Sequence, residues 1–147
     1  MTTEPLETVS EEEHDEFESL IQRFTAAWST DTGTPEYEEV SEFYAPEDDV
    51  ILYDFVDPRA GYHGWEELRP GLEKEIYAGV SSLDWTPSDV WAVRRDDIAW
   101  TGFNWDMTIR FDDGDTETID TGRMTMIWEM RNGSWRIVHE HSSVPRE

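Results

Sequence analysis

The chain has no cysteine, only one lysine (Lys74), and no apolar run that approaches the length of a membrane span or a secretion signal. Without thiols there is no thiol nucleophile, no thiolate zinc site and no redox switch, and nothing points to an oxidising compartment. Without a long apolar run, the expectation is a soluble, cytoplasmic protein. The scarcity of lysine is one side of a larger imbalance: 35 acidic residues stand against 11 lysines and arginines, for a net charge of −24. The acids are spread along the whole length, so the surface repels polyanions, and neither nucleic acid nor a membrane is expected as a partner. Glycine-rich nucleotide loops, serine-nucleophile motifs and basic stripes are missing as well.

What is present is 147 residues, enough for one domain that buries about two-thirds of the surface its unfolded chain would expose. Residues 1–9 read as a frayed polar terminus and 10–147 as a single domain. The uniform, lysine-poor acidity resembles that of haloarchaeal proteins, whose self-repulsion is screened where the Debye length falls to about 3 Å at molar salt. Full stability in low salt would contradict a halophilic origin.

Ser10-Glu11-Glu12-Glu13 has the form of a capping box, and Phe17, Leu20, Ile21, Phe24, Ala27 and Trp28 follow at helical spacing. Thr34-Pro35 reads as the cap and first turn of a short second helix that stops before Pro46. Val50 to Asp54 reads as a strand, Asp57 to Gly61 as a turn, and Trp65 to Ile76 as a third helix in which Pro70 forces a restart or a kink, with Gly79 as its cap. Everything beyond residue 80 reads as sheet. Leu83, Trp85, Trp91 and Val93 share one parity, Pro87 marks a bulge or an edge, and Phe103 to Phe111 alternate strictly with polar residues. Two further runs flank Arg131-Asn132-Gly133-Ser134, where Gly133 supplies the positive φ of a tight hairpin. The expected fold is α+β: helices on one side of a long antiparallel meander.

Tyr44-Ala45 before an acidic turn, the strand at Val50 to Asp54, Gly64 opening a helix, and the closing Gly-x-Trp-x-Ile-Val-His-x-His-x-Ser block resemble the SnoaL-like superfamily. This superfamily includes nuclear transport factor two, ketosteroid isomerase and the association domain of calcium/calmodulin-dependent protein kinase; Thr125 to Ser143 looks most like the last. The resemblance implies a cone, in which a curved sheet wraps three N-terminal helices around a pocket. It also implies an oligomer, commonly a dimer, built on the outer sheet face. It places the isomerase's base on Asp54, its tyrosine donor on Phe24, and its protonated aspartic acid on Thr125 or Met126, so steroid isomerisation by that mechanism is not expected. The arginines with which the association domain holds carboxylates fall on Asp106, Met126 and Ser142, none of them basic. A neutral or cationic ligand suits these residues better than an anion.

Which face of the last strands lines the pocket depends on the turns. Asp112-Asp113-Gly114 and Arg131-Asn132-Gly133 each allow a two-residue turn or a three-residue loop with a glycine bulge. If both are bulged, Asn104, Asp106, Gly122, Met124, Met126, Trp128, Val138, Glu140 and Ser142 share one face, and the resemblance favours that face as the pocket. Glu140 then sits among apolar neighbours that raise its pKa, opposite Asp54, and two carboxyls in unlike environments can divide acid and base roles. The alternative is a hydrogen-bonded structural carboxylate. The eight tryptophans exceed the usual need of a core, and Trp28, Trp65 and Trp128, with Tyr53 beside Asp54, are the aromatic candidates to face a ligand. His139 and His141 share a face as an i, i+2 pair but lack a converging third ligand, so neither metal nor cofactor is expected. With Arg123 they are assigned to a homodimer interface on the outer face. Three functions remain open: a small-molecule pocket enzyme performing proton transfer, hydration or hydrolysis on a neutral ring-containing metabolite, a non-catalytic ligand-binding or oligomerisation domain, and a protein adaptor.

Overall fold

A computed structural model describes residues 9–47 and 49–145. The frayed terminus expected at residues 1–9 therefore lies outside the described residues except for Val9, which packs against the core. Ser10 caps α1, Glu11–Trp28: its side chain accepts from the Glu13 amide at 3.2 Å and donates to the Glu13 carboxylate at 3.3 Å, in place of the return bond of a full capping box. Phe17, Ile21, Phe24 and Trp28 of this helix are buried along one stripe, as a period near 3.6 requires. Its end is tied to the sheet, because the Ser29 hydroxyl donates to the Thr25 carbonyl and accepts from the Trp85 amide.

Helix α2, Tyr37–Ser41, begins later than the Thr34-Pro35 pair suggests, and its flanking residue Glu36 makes no capping bond. Strand β1, Ile51–Tyr53, is followed by a two-residue strand β2, Tyr62–His63, which the sequence reading misses, and then by α3, Trp65–Glu75. Pro70 neither ends nor restarts α3. The hydrogen bond it forfeits belongs to the carbonyl of exposed Glu66, which water can serve. Gly79 is not a cap; α3 ends at Glu75 with Ile76 as its C-cap, and Gly79 sits in the turn to β3.

The sheet is completed by β3 (Val80–Arg95), β4 (Ile98–Phe111), β5 (Thr116–Arg131) and β6 (Ser134–Ser143), in the order β2-β1-β6-β5-β4-β3. All neighbours are antiparallel except β1 and β6, whose parallel pairing corrects the expectation of a purely antiparallel sheet. Pro87 lies on β3, an edge strand, so its missing amide costs no ladder bond within the sheet.

The sheet has four register shifts, and the three beyond the one between Val80 and Ser82 decide how the candidate residues face. Between Ser88 and Trp91 an extra residue flips β3, so Trp91 points outward against Gly102 while Leu83 and Trp85 point in, which corrects the single parity read from the sequence. Between Trp105 and Met107 of β4 the partner moves from Gly122 to Ile119, and the bulged Thr121 donates its amide to Asp106. Between Ile127 and Trp128 the partner moves from His139 to Ile137, leaving Val138 unpaired. Such bulges bend a sheet and increase its twist, and here the sheet curves around α1 and α3. The turns also differ from each other: Asp112-Asp113-Gly114 is a three-residue loop, whereas Asn132-Gly133, both at positive φ, is a two-residue turn.

Candidate functional site

The site is built where β1 and β6 run side by side. Leu52 lies opposite Glu140, and both are buried, so their neighbours Tyr53 and His141 face outward. Glu140 is a carboxyl in the core, 3 % exposed, and the Tyr44 hydroxyl lies 3.0 Å from each of its oxygens. Tyr44 comes from the turn after α2. Phe24 packs edge-on to its ring at 6.0 Å, and Trp65 flanks it at 5.4 Å. Asp54 follows β1, where the Phe55 amide donates to its carboxylate at 2.8 Å.

Asp54, Phe55 and Glu140 border a cavity of about 30 Å³, room for about two waters. Trp28 closes it from α1, Leu72, Ile76 and Tyr77 from the end of α3, and Trp85, Met107, Met124, Glu140 and Ser142 from the sheet. Asp54 and Phe55 belong both to this wall and to a groove on the outside, formed with Tyr53, Val56, Arg59, Glu75 and His141. The pair is the partition between cavity and solvent.

Burial is the main force on every acid here. Desolvation raises the Asp54 pKa to about 6, opposed by the Phe55 amide that favours the anion. Glu140 is raised well above the usual carboxylate range, first by desolvation and then by the charge of Asp54; the Tyr44 hydrogen bond works the other way. Tyr44 itself is raised by burial and by the Glu140 charge, so its phenol stays protonated and acts as a donor. Of the two acids, Glu140 is therefore held more strongly toward its protonated form than Asp54.

The expected residues are distributed as follows. Asp54, Glu140, Trp28, Met124 and Ser142 line one cavity. Asn104 and Asp106 do not: the bulge opposite Asp106 pairs Asn104 with Arg123 and puts both on the outer face, where Asn104 meets Asp89 and Asp106 meets Thr121. Tyr53 is also outward, between His139 and His141, because alternation along β1 sends Leu52 in. Phe24 and Trp65 stand behind the wall as supports of Tyr44. Met126 and Trp128 are fully buried core residues, with the Trp128 indole N–H donating to Thr101 at 2.9 Å. On the outer face, His139 bonds the Ile51 carbonyl at 2.6 Å and so fastens β6 to β1, while Arg123 and His141 are exposed. Among the described residues no group of three or more histidines and acids is placed to hold a metal, and no helix is long and apolar enough to cross a membrane.

Sequence reasoning missed Tyr44 as the partner of Glu140, along with Phe55, Tyr77 and Met107. Trp85 could have been found, since it shares the inward parity of Leu83.

The profile of one family, described as the SnoaL-like domain, matches residues 18–147. Among solved structures, the chain is similar to a nuclear transport factor 2-like superfamily protein from Salmonella enterica serovar Typhimurium, with 20 % identity, coverage of 95 % of both chains and a TM-score of 0.77. It is similar to a Xanthomonas campestris protein provisionally named a calcium/calmodulin dependent protein kinase II association domain, with 22 % identity, coverage of 99 % of this chain and 94 % of the other, and a TM-score of 0.70. A third likeness is to a Novosphingobium aromaticivorans protein provisionally named a scytalone dehydratase, with 13 % identity, coverage of 91 % and 85 %, and a TM-score of 0.74. At these identities the structures show the fold alone. No curated protein matches the chain.

Proposed function

We propose, for a chain that belongs to the SnoaL-like domain family, that the cavity is the active site of an enzyme moving protons on a small neutral metabolite, with addition or elimination of water. The observation that supports this reading is the pair of carboxyls of unlike proton affinity on one largely apolar cavity, Asp54 raised to about 6 and Glu140 raised well above its ordinary value. Above about pH 6, Asp54 is an anion and takes a proton from a carbon beside a carbonyl. Glu140 gives its proton to the departing hydroxyl oxygen, which leaves as water; the reverse direction is hydration. One proton enters at Asp54 and one leaves at Glu140. The cycle closes when the first passes to the second, downhill because Glu140 binds a proton more tightly. The fold shared with a protein provisionally named a dehydratase agrees with this chemistry.

A six-membered ring exceeds the cavity as it stands, so its entry requires Phe55, which stands between the cavity and the outer groove, to move aside. The test is exchange of the α-protons of cyclohexanone for deuterium in D₂O. Exchange catalysed by the protein and lost in Asp54→Asn supports the reading. Exchange undiminished in Asp54→Asn sinks it, and saturable binding without exchange favours the second reading, a non-catalytic ligand-binding or oligomerisation domain of the kind the Xanthomonas protein is named for.

The outer sheet face suits a second copy of the chain. Trp91, Trp100, Ile127 and Tyr53 are all more than a third exposed there, and cross-strand pairing aligns Trp100, Ile127 and His139 in one row. An apolar patch of this kind beside Arg123 and His141 is how homodimer faces are built. Sedimentation of the wild type as a dimer and of Trp100→Glu as a monomer would support it.

A further inference from the structure

Two polar atoms of the cavity residues are left over by the acid and base roles. The Trp85 indole Nε1 and the Ser142 hydroxyl are buried, and neither has a hydrogen-bond partner in the protein. Both residues line the same cavity as Asp54 and Glu140, although Trp85 comes from the edge strand β3 and Ser142 from β6 on the other side. Buried polar groups are nearly always satisfied, and each one that is not carries a desolvation penalty. A pair of them on one cavity indicates what the cavity is shaped to hold.

The chemistry of the two groups decides the class of ligand. An indole N–H can only donate, and a serine hydroxyl can donate or accept. Burial holds Glu140 toward its protonated, donating form, and Asp54, raised only to about 6, is the anionic acceptor of the wall. A carboxylate ligand would sit against the Asp54 anion with no arginine in the wall. An ammonium would pair with Asp54 and could donate to Ser142, but it has no lone pair for the Trp85 N–H, which it would leave unsatisfied. A neutral oxygen bearing lone pairs satisfies both leftover groups. The apolar remainder of the ligand then lies against Trp28, Leu72 and Met107.

We infer that Trp85 and Ser142 are the specificity-determining pair of this cavity, recognising the carbonyl or hydroxyl oxygen of a small neutral ligand. This rests on the acid–base reading for the location of the site, and it names the substrate class that reading leaves open. In the proton-transfer step, an oxygen held there is the one on which negative charge grows, so donors aimed at it act on the reaction as well as on binding.

The test compares cyclohexanone with methylenecyclohexane, which has the same shape without the oxygen. The indole N–H signal of Trp85, identified by its loss in Trp85→Phe, is followed by proton–nitrogen NMR during titration of each compound into the wild type, Ser142→Ala and Asp54→Asn. The expected result is a saturable downfield shift with cyclohexanone only, and affinity for it about 3- to 10-fold above that for the hydrocarbon, the range of one or two net hydrogen bonds. Ser142→Ala should lower the cyclohexanone affinity several-fold and leave the hydrocarbon unchanged. Asp54→Asn should retain the preference, which separates recognition from catalysis: if exchange is unaffected by Asp54→Asn while the Trp85 shift persists, the acid–base reading fails and this one stands. Equal affinities for the two compounds, an unmoved Trp85 signal, or no saturable binding of either would overturn it.

Discussion

The Tyr44 hydroxyl lies 3.0 Å from both oxygens of Glu140, so a single phenol proton spans a carboxyl that is otherwise shut in the core. The two residues are 96 positions apart in the chain, and they meet because β6 returns beside β1 with Glu140 inward. Removing the donor leaves a buried carboxyl with less than it needs. Tyr44→Phe is expected to destabilise the fold by about 1–3 kcal/mol in urea denaturation. Because that hydrogen bond holds the Glu140 pKa down, the same variant raises it further.

Asp54→Asn removes the base and also a charge that raises Glu140. Catalysed proton exchange should fall by about 10²- to 10⁴-fold, and the Glu140 titration should move toward lower pH. In the wild type, exchange should rise with pH through about 6, as Asp54 ionises. A rate flat across pH 5 to 7 would argue against Asp54 as the base.

The same group sets a pH dependence of stability. The Asp54 pKa is raised on folding from 3.8 to about 6, so between those values the native state binds more protons than the unfolded one. Stability contributed by this group is fully present below pH 4, falls as pH rises, and is lost above about pH 6. Comparing Asp54→Asn with the wild type by thermal melts isolates the effect. The variant is expected to gain on the wild type as pH goes from 4 to 7, by about 3 kcal/mol at most.

Much of this architecture is legible from local pattern. The Ser10 box and the stripe from Phe17 to Trp28 dictate α1, and alternation from Phe103 to Ile109 sets the inward face of β4. Pro87 announces an edge. The bulges are not legible, because each is decided by pairing between strands rather than by the run of residues within one. The bulge at Thr121 turned Asn104 and Asp106 away from the cavity. Glu140 does face inward, but for a different reason from a bulged turn: Asn132-Gly133 is a two-residue turn, and the unpaired Val138 restores the parity. Tyr44 carried no signal of its role, since its partner lies on the last strand.

Gly122 is paired with Trp105, and a Cβ placed on it would lie 2.1 Å from the indole ring, which is itself 1 % exposed and cannot move aside. Gly122→Ala is expected to cost about 1–3 kcal/mol. A chemical denaturation midpoint equal to that of the wild type would show that the ring is not held as described.

A net charge of −24 predicts self-repulsion that salt relieves. The melting temperature should rise steadily between 0.1 and about 2 M KCl. An unchanged value would mean that the acids are balanced locally and that salt adaptation is the wrong account of the composition.

At neutral pH the cavity is expected to hold an ionised Asp54 beside a protonated Glu140. Carboxyl carbon-13 NMR over pH 4 to 9 reads both groups directly. The expected result is an Asp54 signal that titrates near 6 and a Glu140 signal that keeps its protonated shift through neutrality. A Glu140 signal that titrates at its ordinary value near 4.5 would contradict it.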